Sequence, residues 1–281
     1  MSKVTAIITS YKRDSKTVQR AIDSILNQTF SDIEIILVDD NAKDSEYSPE
    51  LKKLCFSKGV MYCTQGENRG ACSARNYGIK KASGEYIGFL DDDDEWLPNK
   101  IEKQLACFEK NPDIGLVYCK GNIVDEGTNS IIGIYNENNI RTNLNISDLL
   151  AKDYIGSTSQ PLIKKECFDK VGGFWEEQPA RQDYEMWIRI SQYYNLYGIN
   201  DVLFNHNFHF GDQISKNYNK VYYGYRNILK RYDKYYKKYK RSKRNIVKTI
   251  CGTCIKNKSI KCFYYGMLYL FLTVITFKGK D

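Results

Sequence analysis

Residues 84–100 read GEYIGFLDDDDEWLPNK, and this stretch carries the strongest signal for both the fold and the function of the chain. Residues 86–90 are short, apolar and aromatic, which is typical of a buried strand. Four aspartates at residues 91–94 follow without a break. Two carboxylates ~4 Å apart repel each other by about 4 kcal/mol at an effective dielectric constant near 20. Core packing does not explain this concentration of like charge at the end of a strand.

Strand and helix signals alternate through the residues that precede this run. Apolar, β-branched runs predict strands, and apolar residues at helical spacing predict helices. The predicted strands are residues 4–9, 33–38, 60–64 and 86–90, and the predicted helices are residues 15–28, 49–58 and 71–82. This alternation is typical of right-handed βαβ units. We therefore expect an α/β, Rossmann-like fold with a mainly parallel sheet and flanking helices.

Three polar clusters follow three of these strands, at residues 9–11, 39–41 and 91–94. Ligands of open α/β sheets bind at the carboxyl ends of the strands. We therefore expect the three clusters to meet at one edge of the sheet and to form a binding site there.

The next hundred residues have a less regular pattern. Residues 116–120, 131–135 and 160–164 are compatible with strands, whereas residues 165–171 and 181–194 have helical spacing. We assign no further strand before the basic tail.

The charge of the chain divides it into two parts. The 281 residues carry a net charge of +8, but from Lys220 onward there are 17 Lys and Arg against only Asp233 and Asp281. That part has a balance of +15, and residues 1–219, with 25 basic and 32 acidic residues, have a balance of −7. We therefore predict a domain over residues 1–215 and a helical, basic and aromatic extension over residues 216–281.

The N-terminal sequence and the cysteines indicate the cytoplasm. The opening MSKVTAIITSYKR has no pattern of a secretion signal. Nine cysteines, an odd number, are spread through predicted strands and helices, which favours free thiols in a reducing compartment.

A divalent cation would make the aspartate run tolerable, because Mg²⁺ and Mn²⁺ prefer oxygen ligands. Proteins usually hold Mg²⁺ through one or two carboxylates together with substrate phosphate, which favours a nucleoside diphosphate ligand. The sequence has neither a GxxxxGKS/T phosphate loop nor a GxGxxG motif. The alternative is a surface loop whose acids cap a helix that begins near Pro98. The run alone leaves both interpretations open.

Three stretches taken together identify a family. VTAIITSYKR (4–13), SILNQTFSDIEIILVDDNAKDS (24–45) and ENRGACSARNYGIKKASGEYIGFLDDDDEWLPNK (67–100) resemble family 2 glycosyltransferases with the GT-A fold. The resemblance is clear over residues 3 to about 110 and weaker to about 215. It implies a nucleotide-binding half at residues 1–110, an acceptor half at residues 111–215, and sugar transfer from a nucleotide-sugar, usually a UDP-sugar, with inversion at the anomeric carbon.

The resemblance also implies roles for single residues. Thr9 and Tyr11 are expected to pack around the base, and Asp39 is expected to hydrogen-bond the uracil ring. Arg75 is the expected donor-site arginine, and Asp91 and Asp92 are expected to lie along the ribose and first phosphate. These six are the expected nucleotide-sugar-binding residues. Asp93 is the expected direct ligand of Mn²⁺ or Mg²⁺, and Asp94 is expected to cap the following helix.

Residues 165–190 resemble the family segment that supplies the catalytic base, usually within a Glu-Asp pair. The pair here is Gln182-Asp183, so Asp183 is the expected base and the first acid is missing. The alternative for Asp183 is a helix N-cap. His206 and His209 lie beside a segment similar to a family loop near the diphosphate; His209 is a second candidate at the metal, against a structural role.

The C-terminal part combines basic, aromatic and apolar residues. Residues 222–248 mix Tyr with Lys and Arg, and residues 262–277 form an uncharged, apolar-rich run. As a helix this run would be ~24 Å long, short of the ~30 Å hydrocarbon core of a bilayer. The pattern favours a helix lying on an anionic membrane surface. Packing against a second subunit or its own core remains an alternative, and nucleic-acid binding is disfavoured because the rest of the chain is acidic and lacks nucleic-acid motifs.

The sequence thus predicts a cytoplasmic enzyme, peripheral on the inner face of the cell membrane. It would transfer a sugar to a glycan or lipid-linked glycan acceptor in cell-surface polysaccharide synthesis, in an inverting, metal-dependent reaction. The alternatives are a sugar nucleotidyltransferase and a non-catalytic subunit that binds glycan or nucleotide-sugar. The pattern leaves the oligomeric state open.

Overall fold

A computed structural model describes residues 3–208 and 217–278 of the chain. The described residues form two compact units. The sheet unit is drawn from the segments Met1–Asn143, Ile155–Phe174 and Tyr193–His209, and the helical unit from Leu144–Tyr154, Trp175–Gln192 and Phe210–Asp281. The predicted boundary between residues 215 and 216 lies outside the described residues, so that division stays a prediction.

The strands all belong to the sheet unit. They are β1 (Val4–Ser10), β2 (Ile33–Asp39), β3 (Met61–Thr64), β4 (Tyr86–Asp91), β5 (Glu95–Trp96), β6 (Ile114–Asp125), β7 (Ser130–Tyr135), β8 (Leu162–Lys164) and β9 (Asn195–Phe208). The helices of this unit are α1 (Ser15–Leu26), α2 (Ser48–Lys58), α3 (Ala71–Lys81), α4 (Lys100–Lys110) and α6 (Lys165–Val171).

The described strands form one mixed sheet in the order β3-β2-β1-β4-β8-β6-β9-β5, and β7 pairs with β6. The first four strands of that order run parallel, as the βαβ pattern predicts. β8 pairs antiparallel with both β4 and β6, and β5 pairs antiparallel with β9. The α/β class with flanking helices is therefore confirmed, with an antiparallel addition to the parallel half.

Local chemistry explains the first βαβ unit. Asp14 is the N-cap of α1, and its carboxylate accepts hydrogen bonds from the backbone N and the hydroxyl of Thr17 at 2.9 and 2.7 Å. The helix then buries one face against the sheet through Val18, Ala21, Ile22 and Ile25. Burial of such a face stabilises the fold by about 25 cal/mol per Å² of apolar surface removed from water. The packed helix in turn fixes the direction of the loop that connects it to β1.

The region after residue 110 departs from the sequence-based expectation. β6 has 12 residues where a strand over residues 116–120 was expected, and β9 is a 14-residue strand where none was expected. β9 runs parallel to β6 with several register shifts. Polar residues such as Asn205 and Asn207 interrupt its apolar pattern, so neither strand nor helix spacing is clear there.

The helical unit contains α5 (Ile146–Ala151), α7 (Gln182–Ile190), α8 (Tyr218–Arg231), α9 (Asp233–Lys238), α10 (Lys240–Lys256) and α11 (Lys261–Lys278). The predicted helical character of the C-terminal part is therefore confirmed. α10 packs against α5, α8 and α11. Within the described residues, no helix combines the length and apolar character that crossing a membrane requires.

Candidate active site

The three polar clusters meet at the carboxyl edge of the parallel strands. β1 lies between β2 and β4, and the register pairs Thr9 with Asp91 and Ser10 with Asp39. The backbone N of Lys12 also donates to Asn41 Oδ1 at 2.9 Å, which joins the loop after β1 to the end of β2. The topology thus brings together residues that lie far apart in the sequence.

The four aspartates form a tight turn between β4 and β5, which we call the aspartate turn (Asp91–Asp94). The backbone N of Asp94 donates to the carbonyl O of Asp91 at 3.0 Å. α4 begins only at Lys100, with Asn99 at its N-cap position. The expectation that these acids, and Asp94 in particular, cap the following helix is therefore wrong, because the β5 segment separates them from it.

Asp94 is fully buried and anchors the turn. Its Oδ2 accepts a hydrogen bond from Ser159 Oγ at 2.6 Å, and its Oδ1 accepts one from the backbone N of Asn207 at 3.1 Å and lies 3.0 Å from His206 Nδ1. Burial raises the pKa of the Asp94 carboxyl, while the hydrogen bond with His206 opposes that shift. Asp94 therefore ties the turn to the ends of two other segments of the sheet unit.

Arg13 bridges the next two carboxylates. Its Nε lies 3.1 Å from Asp92 Oδ1, and its Nη2 lies 2.9 Å from Asp93 Oδ2. Burial, followed by repulsion from Asp94, Asp91 and Asp92, raises the pKa of Asp93 to about 7 despite Arg13. The turn thus has more negative charge than its neighbouring arginines neutralise.

Arg75, on α3, lies against the first aspartate of the turn. Its Nη2 is 2.8 Å from Asp91 Oδ1, which also accepts a hydrogen bond from Thr158 Oγ1 at 3.1 Å. The guanidinium lies over the ring of Phe174, 5.7 Å from the ring centroid. Two residues predicted to contact the donor, Arg75 and Asp91, are therefore direct neighbours.

The acids that end β2 have separate partners. Asp39 is buried; its Oδ1 accepts from the backbone N and the side-chain amide of Asn41, and its Oδ2 accepts from the Tyr62 hydroxyl at 2.6 Å. Asp40 accepts hydrogen bonds from the backbone N of Arg69 and of Gly70, each at 2.9 Å. Asp40 therefore fixes the backbone at the start of α3, the helix that carries Arg75.

The two remaining donor-site candidates also lie at this edge. Thr9 is half-buried in β1, and the Tyr11 side chain is 46% exposed in the loop that follows. An exposed aromatic ring beside a polar strand end is available to stack on a base. His209 lies outside the described residues.

The chemistry of the aspartate turn fits a divalent cation. All of the side-chain atoms that the turn offers for metal coordination are carboxylate oxygens. A bound cation relieves the repulsion between such carboxylates. Among residues 3–208 and 217–278, no group of three or more His, Cys, Asp or Glu side chains forms a ready metal site. The repulsion between the carboxylates fits a Mg²⁺ or Mn²⁺ ion that takes one or two protein carboxylates and completes its shell with phosphate.

Asp183 lies in the helical unit, at the second position of α7. The N-cap of this helix is Arg181, so the alternative assignment of Asp183 as the N-cap is wrong. Arg181 has φ 62°, a left-handed conformation that is uncommon outside glycine and concentrates at functional sites. The catalytic role of Asp183 stays a prediction.

The chain matches the family model described as "Glycosyl transferase family 2" over residues 5–172, more than half of its length. It belongs to glycosyl transferase family 2. An uncharacterized glycosyltransferase of Rickettsia typhi is 32% identical over 214 residues, which cover 74% of this chain and 65% of the relative. The glycosyltransferase chain thus spans slightly less than two thirds of that relative's length.

Two further proteins extend the comparison. The Escherichia coli UDP-Glc:alpha-D-GlcNAc-diphosphoundecaprenol beta-1,3-glucosyltransferase WfgD is 31% identical over 207 residues, covering 70% of this chain and 73% of WfgD. The mannosyltransferase PcManGT of Pyrobaculum calidifontis, solved with GDP-Man and Mn²⁺, superposes with a TM-score of 0.63 at 15% identity. That match covers 91% of this chain and 72% of PcManGT, and it supports the glycosyltransferase fold.

The helix that carries Asp183 also carries a buried acid that sequence reasoning missed. Glu185 is fully buried; its Oε2 lies 2.9 Å from Arg189 Nε, and its Oε1 lies 3.3 Å from Arg231 Nε and accepts the Tyr232 hydroxyl at 2.9 Å. We call these four residues the Glu185 cluster. It joins α7 to the end of α8 in the glycosyltransferase's helical unit.

Sequence analysis of the glycosyltransferase also missed polar partners of the aspartate turn. Arg13 lies inside a stretch that resembles the family, yet nothing in its spacing indicates the pairing with Asp92 and Asp93. The Ser and Thr residues at positions 157–159 lie just before a predicted strand, and a polar run there was the available signal.

Proposed function

We propose that the chain transfers a sugar from a UDP-sugar to a glycan or lipid-linked glycan acceptor, with inversion at the anomeric carbon, in cell-surface polysaccharide synthesis. The observation that carries the proposal is the aspartate turn, with its excess carboxylates between Arg13 and Arg75 at the carboxyl edge of the sheet. WfgD, which is named for a UDP-sugar donor and a diphosphoundecaprenol-linked acceptor, supports this donor and acceptor class.

The donor would lie along the edge formed by β1, β2 and β4. Thr9 and Tyr11 would pack around the base, Asp39 would bind the uracil ring, and Asp91 and Asp92 would lie along the ribose and first phosphate. Asp39 accepts a hydrogen bond from the Tyr62 hydroxyl. This bond would hold the Asp39 carboxylate in a fixed orientation toward the base. Arg75, held over Phe174, would supply positive charge on the donor side.

Asp93 would hold a Mn²⁺ or Mg²⁺ ion. PcManGT, which has a similar fold, was solved with Mn²⁺. Such an ion acts as a Lewis acid that stabilises the negative charge of a departing diphosphate. Arg13 bridges Asp92 and Asp93 and would keep the two carboxylates in a fixed orientation toward the diphosphate.

Asp183 would act as the base. It would take the proton of the acceptor hydroxyl while the hydroxyl oxygen bonds to the anomeric carbon, and the bond from that carbon to the diphosphate breaks. Proton transfer to a positioned carboxylate contributes typically ~10²–10⁴-fold to the rate. Attack from the face opposite the leaving group gives inversion. The donor half (1–110) would bind the nucleotide-sugar, the acceptor half (111–215) would bind the acceptor, and the extension (216–281) would contact the membrane.

We further propose that the chain is peripheral on the inner face of the cell membrane, where a lipid-linked acceptor would be located. Its C-terminal segment would contact anionic lipid through the 17 basic residues that follow Asn219.

A turnover assay tests the reaction. The full chain is incubated with Mn²⁺, each of several UDP-sugars, and membranes that contain lipid-linked saccharide, and the released nucleotide is identified. The proposal expects UDP release that depends on both metal and acceptor. Release of pyrophosphate from a nucleoside triphosphate would instead indicate a nucleotidyltransferase, and binding of UDP-sugar without any turnover in all acceptor preparations would indicate a non-catalytic subunit.

A further inference from the structure

α11 uses one side of its surface to pack inside the helical unit. Tyr265 and Leu272 are buried on that side, and the helix packs along α10. Cys251 Sγ also contacts the carbonyl O of Cys262 at 3.5 Å, near the turn between the two helices. The packed side of α11 is therefore already occupied.

The opposite side of α11 is apolar and exposed. Its six exposed residues recur at helical spacing and fall within about a third of the helix circumference at ~100° per residue. They are Phe263, Tyr264, Met267, Leu270, Phe271 and Val274, each between 56% and 74% exposed. We call them the α11 outer face. Residues 262–277 contain no Asp, Glu, Lys or Arg, so nothing charged interrupts this face.

The apolar surface continues around the turn between α10 and α11. Ile255 and Ile260 are 61% and 80% exposed, and with Lys258 and Phe263 they line an open groove of about 390 Å³. A contiguous exposed apolar surface of this kind marks an interaction site in soluble domains.

Exposed lysines lie beside this surface. Lys256, Lys258 and Lys261 occupy the α10–α11 turn and its flanks. Lys261 lies over the rings of Tyr222 and Tyr223, 4.5 and 5.4 Å from their centroids, so its ammonium group is held at the end of α11. The surface thus combines an apolar helix face with fixed positive charge at one end.

Charge distinguishes between the two possible occupants. A second copy of this chain would bring its own basic segment, with 17 Lys and Arg against two Asp from Lys220 onward, next to an identical one. Like charge at that density opposes self-association, whereas an anionic bilayer attracts it. As a helix, the uncharged run of residues 262–277 is ~24 Å long, short of the ~30 Å hydrocarbon core, which favours a helix lying in the interface.

We propose that α11 lies in the plane of an anionic bilayer and buries its outer face among the upper acyl chains, while Lys256, Lys258 and Lys261 contact lipid phosphates. The proposal deepens the membrane association proposed above by naming the inserted face. It does not depend on the transfer reaction.

Vesicle flotation with the full chain tests this face. Vesicles of phosphatidylcholine with phosphatidylglycerol should carry the protein upward, and vesicles of phosphatidylcholine alone should carry much less. Met267→Glu combined with Leu270→Glu should weaken partitioning by at least about tenfold, because charge is expelled from the acyl region. Phe56→Glu is the matched control: Phe56 is 90% exposed on α2, far along the chain, and its substitution should leave flotation unchanged.

A second measurement reports insertion directly. Phe271→Trp should add fluorescence that bromine-labelled acyl chains quench, whereas Phe56→Trp should add fluorescence that they do not quench. Thermal unfolding confirms that each variant is folded, which the exposure of the substituted side chains leads us to expect.

Two results would overturn the proposal. The first is equal flotation of wild type and the Met267→Glu/Leu270→Glu variant. The second is a stable dimer without vesicles that the same variant converts to monomer, which would assign the α11 outer face to a second copy. No donor or acceptor is present in these experiments, so either result leaves the proposed sugar transfer standing.

Discussion

The aspartate turn and the Glu185 cluster both contain buried acids, but these acids have different neighbours. In the turn, four carboxylates have Arg13 and Arg75 as their arginine partners, and the pKa of Asp93 is raised to about 7 by burial and by its three acidic neighbours. In the cluster, the single carboxylate of Glu185 faces Arg189 and Arg231 and accepts the Tyr232 hydroxyl.

The difference separates a binding site from a structural joint. A buried acid whose oxygens have donors and opposite charge holds two helices together and needs no ligand. A group of neighbouring acids that repel one another weakens the fold, and such sites persist where function requires the charge. On this reasoning we propose that the aspartate turn binds a cation and a diphosphate, whereas the Glu185 cluster holds α7.

Asp183 and Glu185 give the sharpest contrast, because they are two residues apart on one helix. Asp183→Asn should lower the turnover number by about 10²–10⁴-fold, since the base is lost. Metal-dependent UDP binding and the thermal midpoint should stay close to those of the wild type. A rate within a few fold of the wild type would remove Asp183 from the mechanism.

Glu185→Gln should instead act on stability. Removing the charge breaks the pair of Glu185 with Arg189, whose side chains are both largely buried, and breaking a buried pair costs roughly 3–5 kcal/mol. Denaturant unfolding of the full chain measures the loss. Asp233→Asn is the control in the same unit, because its partner Lys237 is exposed and the change should alter unfolding little. Equal effects of the two substitutions would contradict the assignment of the Glu185 cluster as a joint.

Lys100 extends the comparison to a buried charge whose hydrogen bond is made to a neutral amide. It is fully buried, its Nζ donates to Gln104 Oε1 at 2.7 Å, and it lies over the Trp96 ring at 4.3 Å. Burial lowers its pKa to about 8, from an ordinary value of 10.5. Between these values the unfolded chain binds more protons than the folded one, so this residue makes stability rise with pH across that window.

Lys100→Met should therefore stabilise the protein below pH 8, where the charge penalty is complete. The lowered pKa of Lys100 corresponds to a penalty of ~3 kcal/mol, which the substitution removes. The Gln104 oxygen would lose its hydrogen bond, which costs about 1–3 kcal/mol. We therefore expect the free energy of unfolding to increase by about 1 kcal/mol. The gap between variant and wild type should narrow as the pH rises toward 10.5. A gap that is constant with pH would show that Lys100 does not titrate in this window.

Asp93→Asn should also change stability in the stabilising direction. Without metal, removing one of four neighbouring carboxylates relieves repulsion and should raise the free energy of unfolding by roughly 0.5–2 kcal/mol. Asp113→Asn, at an exposed acid in the loop before β6, should change nothing. Destabilisation by Asp93→Asn would mean that its ion pair with Arg13 outweighs the repulsion.

The sequence was sufficient for the parallel half of the sheet and for the position of the aspartate turn. Residues 35–38 and 86–90 form continuous apolar runs because both faces of the sheet are covered there, and the strand ends then follow from the topology. β9 was not predictable from the sequence, because its polar residues make contacts with residues far away in the chain. His206 and Asn207 hydrogen-bond to Asp94, which lies 112 and 113 residues earlier.

The partners of the acids were equally hidden. Arg13 contacts Asp92 across 79 residues, and Arg231 meets Glu185 through the packing of α8 on α7. No local pattern encodes such pairs, because they depend on where the fold places each helix end. The helix-cap expectation for Asp94 failed for the same reason: its burial depends on Ser159 and on the end of β9.

We propose that the aspartate turn binds a metal–diphosphate. The most direct test is calorimetric titration of UDP into the full chain with Mn²⁺ and without metal, in wild type, Asp93→Asn and Asp113→Asn, with GDP, CDP and TDP as competitors. We predict that UDP binds only with metal, that Asp93→Asn weakens this binding by at least about tenfold, and that Asp113→Asn leaves it unchanged. Equal UDP binding by wild type and Asp93→Asn, or binding that is independent of metal, would contradict the account.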